Sequence, residues 1–386
     1  MAWSIALLLC ASLRLLRLRA LEADLEAFIE GERAAWQAAI AARADAVEHA
    51  RGRGRGVVVI GGLRHYRSSV PKYYTLDALL AVASIRRTGC RLPVELWHDH
   101  DDALLGDPEV LARDVGVQVR DIWDVPGGNR VRGYRLFPFV MLHASFDEVL
   151  YLDSDVFAIA DPAELFATPE YALTGAVFWP DFRSFHPGDA LWRVIGREPG
   201  PMQTQDNGVV LVDLRKPLAR QAAALAHFLC ERWANSFFEP PLNVEGDKDL
   251  YLLSWLALGA PFHMVEAPAG LAGFVLADRH TFCGHTIMHS HPSRLNASRP
   301  SELVFAHRTH AKWSSSLHLE LRTSALKRGA STAVAAPGTS PPLAPHPECP
   351  PCPHDRQSRA DGLCWDLYAA TLDRSAPARA ALKRLS

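Results

Sequence analysis

The sequence predicts an α/β fold in which a mostly parallel sheet is flanked by helices. Two apolar runs, Val57–Ile60 and Leu92–Trp97, are typical of buried strands. Between them, Tyr73–Arg87 has the periodicity of an amphipathic helix. A strand, a helix and a second strand in succession indicate a parallel, doubly wound sheet. Ligands bind such sheets beyond the carboxyl ends of the strands, so polar residues at those ends are functional candidates.

The rest of the predicted sheet follows from the same patterns. Apolar runs predict further strands, and apolar residues at helical spacing predict further helices. The predicted strands are 117–120, 148–152, 176–178, 208–212 and 262–265, and the predicted helices are 137–145 and 249–258.

The composition is that of a globular protein with little net charge. The 386 residues are 48% hydrophobic, which suffices for one large core or two modest ones. A net charge of −2 gives no electrostatic basis for binding nucleic acid, so no such partner is expected. The ten tryptophans suit a wide amphipathic cleft, although tryptophan is also ordinary core material.

The N-terminus is typical of a secretory targeting segment. Met1–Leu13 is apolar but shorter than the roughly 20 residues that span a bilayer. Arginines follow this run rather than precede it, which is unusual for a simple signal sequence. We predict residues 1–19 to be a signal peptide or a short signal anchor, with a plain amphipathic helix as the alternative.

Residues 20–56 are predicted to be a stalk or packing helix followed by a basic linker. Apolar residues recur at mostly helical spacing up to about residue 50, and the Arg-Gly repeat Arg51–Gly56 then ends the pattern. A glycine-rich phosphate loop follows a strand and precedes a helix, whereas this repeat has the reverse order. A flexible linker is therefore the favoured interpretation.

The chain beyond the linker divides into a domain, a second linker and a tail. Residues 57–326 are predicted to be the main α/β domain, 327–348 a Pro-rich linker and 349–386 a Cys-containing tail. The tail cysteines Cys349, Cys352 and Cys364 suit disulfides in the secretory pathway, with zinc binding as the alternative. A glycosylation sequon at Asn296 would be used only in that compartment.

Two carboxylates, Asp153 and Asp155, directly follow the predicted strand 148–152. Residues i and i+2 of a strand project from the same face, where two acids repel unless a cation or proton lies between them. Mg²⁺ and Mn²⁺ take carboxylate oxygens and keep positions open for substrate phosphates. The pair therefore predicts a site for a metal and a diphosphate, with an aspartate-capped turn as the alternative.

Six segments, among them the one that contains Asp153 and Asp155, occur in the order found in one enzyme family. They are Ile85–Trp97, Gly133–Asp155, Gly175–Asp181, Gln205–Asp213, Gly246–Asp249 and Val304–Trp313. Together they resemble nucleotide-sugar-dependent glycosyltransferases of the GT-A type. The greatest resemblance is to the Golgi α-mannosyltransferase family, glycosyltransferase family seventy-one.

The resemblance implies a GT-A-like (nucleotide-diphospho-sugar transferase) fold with a mixed, mostly parallel sheet flanked by helices. It implies retaining transfer of α-mannose from a nucleotide-sugar donor, GDP-mannose, to a glycan or glycoprotein acceptor. The expected cofactor is Mn²⁺ or Mg²⁺, bound by Asp153, Asp155 and His307; an imidazole ligand favours Mn²⁺. The alternative for His307 is a surface loop residue. The expected location is the Golgi or another secretory lumen, and membrane anchoring through the N-terminus would be compatible with it.

Three residues are the predicted catalytic groups. Asp206 and Gln205 belong to a polar cluster with Asn207, where a carboxylate would lie beneath the reacting sugar carbon or bind sugar hydroxyls. The alternative is a β-turn at Asn207–Gly208. The third residue, Asp249, begins a predicted helix, so capping alone would explain it, but the resemblance favours contact with the sugar or acceptor.

The remaining candidates, Asn207 among them, are predicted to bind substrate. Asp247 shares the position and the alternative interpretation of Asp249. Trp179 and Asp181 suit sugar recognition; the alternative is a core tryptophan followed by a turn. Lys312, and less strongly Arg308, would pair with phosphates, against solvated surface cations.

Other residues weaken or complicate the resemblance. Phe137 replaces an expected lysine, and Val156 follows the acid pair where a polar residue is common in the family. Three neighbouring histidines lack the spacing of a zinc site, so structural or donor-lid roles are favoured over zinc. They are His285, His289 and His291.

Two other functions are compatible with the sequence. One is a glycogenin-like transferase of family eight that uses a UDP-sugar. The other is a catalytically silent glycan-binding protein on the same fold, which Phe137 and Val156 favour.

Overall fold

The fold is described from a computed structural model. It describes residues 22–41, 54–61, 74–100, 116–233, 247–275, 282–293, 302–308, 331–335 and 372–373. The predicted targeting segment, the cysteines of the tail, Lys312 and Asn296 lie outside these ranges. Among the described residues, no helix is long and apolar enough to cross a membrane.

The described helices surround two sheets. In chain order the helices are α1 (22–41), α2 (Tyr74–Arg87), α3 (Leu136–His143), α4 (Pro169–Thr174), α5 (Ala190–Ile195), α6 (Pro217–Trp233) and α7 (Leu250–Leu258). The first five strands are β1 (Arg55–Ile60), β2 (Val94–His98), β3 (Gln118–Asp121), β4 (Glu148–Leu152) and β5 (Val156–Ala158). The later strands are β6 (Ala176–Ser184), β7 (Gln203–Asp213), β8 (His263–Met264), β9 (Gly270–Val275), β10 (Phe282–Ser290), β11 (Leu303–His307), β12 (Ser331–Ala335) and β13 (Leu372–Asp373).

The first sheet has the strand order β3-β2-β1-β4-β7-β6-β8. Strands β3, β2, β1 and β4 are parallel, β7 is antiparallel to both of its neighbours, and β8 is parallel to β6. The predicted mixed, mostly parallel sheet flanked by helices is therefore confirmed.

Both faces of this sheet are covered, which explains why its central strands are continuously apolar. On one face, Val58 and Tyr151 pack in a core with α3, α6 and α7. On the other, Val57 and Leu152 pack with α2. Burial on both faces leaves the strand ends as the places where polar side chains can gather.

The second sheet has the order β13-β12-β9-β10-β11-β5, and all of its pairings are antiparallel. Its strand β5 begins just after β4 ends, so the chain passes from one sheet to the other at Asp153–Asp155. Strand β12 lies within residues 327–348, the predicted linker, and pairs with β9. The predicted division into domains otherwise stays a prediction.

Strands β6 and β7 are longer than the sequence predicts. They pair with each other as far as Ser184 and Gln203, well beyond the predicted apolar runs. This pairing keeps polar residues of β7 in extended conformation, because the backbone hydrogen bonds are satisfied by β6. Asn207 and Gly208 accordingly lie inside β7, and the alternative of a β-turn at this dipeptide is wrong.

Helix α1, predicted as a stalk or packing helix, packs on the core. Ile29 and Trp36 are buried, and the Trp36 indole donates to the backbone carbonyl of Val194 at 2.9 Å. Glu32 is also buried and accepts hydrogen bonds from the Arg232 guanidinium at 2.5 and 2.6 Å and from Trp233 Nε1 at 2.7 Å. The helix is thus joined to α6 by a charged contact within an apolar one.

Replacing Glu32 by Gln is expected to lower the free energy of unfolding by about 2 kcal/mol, because the charged acceptor of three hydrogen bonds from Arg232 and Trp233 is lost. Burial raises the pKa of Glu32, but its bonds to Arg232 and Trp233 outweigh burial and lower it below the usual value. The contribution of Glu32 to the free energy of unfolding is therefore complete above the pKa that Glu32 has in the unfolded chain. It is lost as pH falls through the lower pKa of Glu32 in the folded protein.

Urea unfolding of the wild type and of Glu32→Gln at pH 7 and at acid pH measures both effects. The difference between the two proteins should shrink in acid. The exposed Glu30 of the same helix gives the matched control, Glu30→Gln. Equal losses in the two variants would contradict the prediction.

Candidate active site

The acid pair lies in the turn between β4 and β5. Asp155 is 2% exposed, whereas the Asp153 side chain is 41% exposed. Asp153 is held from two sides: its amide donates to the carbonyl of Gly208 at 2.9 Å, and Tyr151 Oη donates to its Oδ1 at 2.6 Å. One carboxylate is thus enclosed and the other faces solvent from a fixed position.

His307 reaches this pair because β11 is antiparallel to β5. The pairing places His307 opposite Val156, directly after the acids. His307 Nε2 lies 3.6 Å from Asp155 Oδ1 and 3.9 Å from Asp153 Oδ2. The three predicted metal ligands therefore come together. Val156 itself is fully buried between strands, which accounts for an apolar side chain there.

These three side chains fit a divalent metal ion. One ligand atom from each lies within 4.8 Å of the others. Two carboxylate oxygens and one imidazole nitrogen form a donor set that suits Mn²⁺, and Mg²⁺ less well. Asp153, Asp155 and His307 would hold such an ion at the carboxyl end of β4.

Asp206, a predicted catalytic residue, lies behind His307. Its Oδ2 is 2.8 Å from His307 Nδ1 and 2.7 Å from His289 Nε2, and its Oδ1 accepts from the Gly208 amide at 2.9 Å. A carboxylate on Nδ1 of a ligand imidazole fixes the ring and leaves Nε2 for the metal. The contacts thus favour a positioning role for Asp206, and they give His289 a structural one.

The charges in this cluster stabilise one another. Burial raises the pKa of Asp206, but the charge of His307 and the bond from His289 outweigh burial and hold it well below the usual value. Burial lowers the pKa of His307, but Asp206 and Asp155 raise it well above the usual value. The raised pKa favours the protonated imidazole, so a metal ion would displace a proton from His307.

Gly208 allows the His307 ring to lie against β7. A Cβ atom at position 208 would be 2.5 Å from Cε1 and 2.6 Å from Nδ1 of that ring. Gly208 also supplies the carbonyl that binds the Asp153 amide. Sequence reasoning missed this role, although a glycine inside a strand indicates close approach by another group.

A second polar group joins β7 to the start of α7. The backbone amide of Gln205 donates to Asp249 Oδ1 at 2.8 Å, and its side-chain Oε1 accepts from the backbone amide of Leu252 at 3.0 Å. Asn207 donates through Nδ2 to the carbonyl of Asp247 at 2.5 Å. Asp249 lies at the N-cap position but makes no side-chain capping bond, so capping does not explain it.

Asp247 adds a further carboxyl group near the acid pair. Burial raises its pKa to about 8, with additional contributions from the charges of Asp153 and Asp249. Its side chain is half-buried. A carboxyl group that resists ionisation beside two others indicates a site whose negative charge a cation would relieve.

Trp179 and Asp181, predicted to recognise the sugar, differ in position. Trp179 is fully buried: its indole donates to the carbonyl of Ser290 at 2.9 Å, and its ring packs edge-on against Phe305. The structure therefore favours the core interpretation for Trp179. Asp181 is half-buried and forms an ion pair with Lys248 Nζ at 2.9 Å, a contact that sequence reasoning missed.

Two further residues singled out from the sequence are Arg308 and Phe137. Arg308 is 4% exposed and donates its amide to the Asp155 carbonyl at 2.9 Å, so it is not a solvated surface cation. Phe137 is buried, with its ring centroid 4.0 Å from that of Tyr151 and 4.3 Å from that of Tyr251. An apolar residue at position 137 thus packs against the tyrosine that binds Asp153.

Comparison with known proteins shows which families and structures the chain is similar to. Residues 54–196 match the family described as "Mannosyltransferase putative". The resemblance to mannosyltransferases is thereby confirmed.

The similar curated proteins are fungal. The chain is 24% identical over 268 residues to the alpha-1,2-mannosyltransferase MNN2 of Saccharomyces cerevisiae, covering 58% of this chain and 43% of that protein. It is 28% identical over 160 residues to MNN26 of Candida albicans, also named an alpha-1,2-mannosyltransferase, covering 38% and 19%. The chain thus spans less than half the length of these relatives.

Similar solved structures are also glycosyltransferases. The glycosyltransferase GlyE of Streptococcus pneumoniae matches with a TM-score of 0.35 and 18% identity, covering 55% of this chain and 46% of that one. The galactosyltransferase LgtC, solved with donor and acceptor sugar analogues, matches with a TM-score of 0.35 and 18% identity, covering 54% and 73%.

Proposed function

We propose that the protein is a metal-dependent glycosyltransferase that transfers an α-mannosyl residue from GDP-mannose, with retention, to a glycan or glycoprotein acceptor. The observation that supports this most is the convergence of Asp153, Asp155 and His307 at a sheet edge. The mannosyl specificity and an α-1,2 linkage are inferred from the names of the similar fungal proteins. A secretory-pathway lumen is the proposed location.

In this proposal Asp153, Asp155 and His307 would hold the ion, which would supply positive charge for the diphosphate of the donor. A bound Mn²⁺ would neutralise the charge that develops on the diphosphate leaving group. Tyr151 holds Asp153, and Asp206 holds the ring of His307, so the ligands need little rearrangement when the donor binds. Preorganisation of this kind is what lowers the barrier, because no reorientation is needed during the reaction.

Other polar residues would bind the sugar and phosphates. Asp247 and Asn207 are proposed to bind hydroxyl groups of the donor sugar, since both lie beside the cluster that contains Asp153. Asp249 and Gln205 are proposed to support them through their mutual hydrogen bond. Arg308 and Lys312 remain the proposed phosphate contacts.

A donor panel tests the proposal. The full chain, supplied with Mn²⁺, is expected to turn over GDP-mannose and not UDP-glucose or UDP-galactose. EDTA should abolish turnover and added Mn²⁺ should restore it, because the ligand set holds a metal that the reaction requires. Release of GDP measured with and without a glycan acceptor reports hydrolysis and transfer separately.

The same panel distinguishes the alternatives. Turnover of UDP-sugars alone would replace the proposal with a glycogenin-like transferase. Glycan binding without turnover of any donor, and without an effect of EDTA, would identify a silent glycan-binding protein.

A further inference from the structure

A cavity lined by polar side chains and by the apolar Phe185, Leu191 and Leu253 lies next to the candidate active site, where β6 and β7 meet the start of α7. Its volume is about 160 Å³. Because a water molecule occupies about 30 Å³ of liquid, the cavity has room for roughly five waters. That is the scale of one sugar ring, and it is far too small for a nucleotide sugar.

The side chains that line the cavity suit a neutral ligand rich in hydroxyl groups. Two cations, Arg183 and Lys248, are balanced by two carboxylates, Asp189 and Asp249. Ser184, which also lines the cavity, adds a hydroxyl group. Sugar hydroxyls both donate and accept hydrogen bonds, so a mixed lining satisfies them, whereas an anion would meet the carboxylates.

The cavity adjoins the metal-ligand cluster through β7. Thr204 lines the cavity and lies two residues before Asp206, a separation of about 7 Å in a strand. Asp249, also in the lining, accepts from the amide of Gln205, the residue between them. A ligand in the cavity would therefore lie beside a donor whose diphosphate is bound near Asp153.

The backbone of Asp249 gives independent support. Its φ of 69° is the only positive value among the non-glycine residues that the structure describes. Such backbone strain persists only where surrounding contacts impose it, and it concentrates at functional sites. In this conformation Asp249 accepts the hydrogen bond from the Gln205 backbone amide and lines the cavity.

We propose that this cavity is the acceptor subsite and binds one hexose residue of the acceptor glycan. The inference rests on the proposed glycosyl transfer. An oxygen of the bound hexose would form the new bond to the anomeric carbon of the donor. The bond from that carbon to the diphosphate oxygen would break, its electron pair would leave with the nucleoside diphosphate, and the hydroxyl proton would pass to that leaving group.

The test is to fill the cavity from its exposed side. Ser184 is solvent-exposed, so Ser184→Trp adds bulk without replacing a core residue. With methyl α-mannoside as the acceptor probe, the KM for the acceptor should rise at least about tenfold, which corresponds to a loss of about 1.4 kcal/mol of binding free energy. The KM for GDP-mannose should stay unchanged, because the donor binds outside the cavity.

Two further measurements make the result decisive. Leu173→Trp, at an exposed position on α4, is the matched control and should leave both KM values unchanged. Binding of methyl α-mannoside to the full chain, followed by ligand-observed NMR, should be lost in Ser184→Trp at an unchanged unfolding midpoint. Unaltered probe binding in that variant, or no binding by the wild type, would overturn the assignment.

The proposed function can fail separately. A wild-type chain that does not turn over GDP-mannose contradicts the proposed donor, whatever Ser184→Trp does. A wild-type chain that transfers normally, with Ser184→Trp equal to it in acceptor KM, contradicts the acceptor subsite alone.

Discussion

Asp155→Asn is expected to weaken Mn²⁺ binding by at least about 100-fold and to lower kcat for mannosyl transfer by roughly 10²–10³. The change keeps the shape of the side chain but removes a negative charge that is 2% exposed and lies 3.6 Å from His307 Nε2. An amide also binds a divalent cation less strongly than a carboxylate does. Asp155 is the better of the two acids for this test because Asp153 is partly exposed.

Titration of Mn²⁺ followed by electron paramagnetic resonance measures the affinity without requiring turnover. Asp124→Asn removes an exposed carboxylate that does not belong to the metal-ligand cluster, and it is the matched control, with no expected effect. Wild-type Mn²⁺ affinity in Asp155→Asn would remove this residue from the metal site. Retained affinity with lost transfer would instead assign Asp155 to the substrate.

Gly208→Ala is expected to be nearly as damaging, although it adds only one methyl group. That methyl group would lie 2.5 Å from the His307 ring, so the ring must move away from β7. We expect Mn²⁺ affinity to fall about 10- to 100-fold, as when the support of a ligand histidine is lost. Overpacking should also lower the free energy of unfolding by about 1–3 kcal/mol.

Gly200→Ala is the control for Gly208→Ala, since nothing lies within 4 Å of a Cβ atom at position 200. It should match the wild type in both Mn²⁺ titration and urea unfolding. If Gly208→Ala were destabilised but bound Mn²⁺ normally, His307 would not be a ligand. Conversely, weak metal binding with normal stability would show that the ring moves at little cost.

Much of the site was predictable because its residues lie at the end of an unmistakable strand. Asp153 and Asp155 follow an apolar run, and their spacing predicted a shared strand face, whereas in the structure they lie in the turn after the strand. Family resemblance then added His307. The structure brings these three together, while their role as metal ligands stays a prediction.

The supporting contacts were not predictable, because they depend on pairing between distant strands. His307 reaches Asp206 across 101 residues, and His289 reaches it across 83. No local pattern specifies that β10 and β11 bring both imidazoles to one carboxylate. For the same reason the sequence predicts that Asp206 contacts the reacting sugar, whereas in the structure its side chain contacts His289 and His307.

Trp179 illustrates a different difficulty. An aromatic residue followed by Pro and Asp fits both a sugar-binding wall and a core strand, and periodicity does not separate the two. The difference lies in what covers the strand, here the second sheet with Phe305. Burial by a separate part of the chain is a tertiary property, so it is absent from the local pattern.

The antiparallel pairing of β5 with β11 has a consequence for how the protein is assembled. The acids belong to an early segment of the chain and His307 to a late one, so the metal site is absent until both sheets have joined. A bound ion would then act as a cross-link between them. Because it binds only the joined form, its presence at 100 times Kd would add about 2.7 kcal/mol to stability. Metal supply would therefore govern the persistence of the fold as well as the reaction.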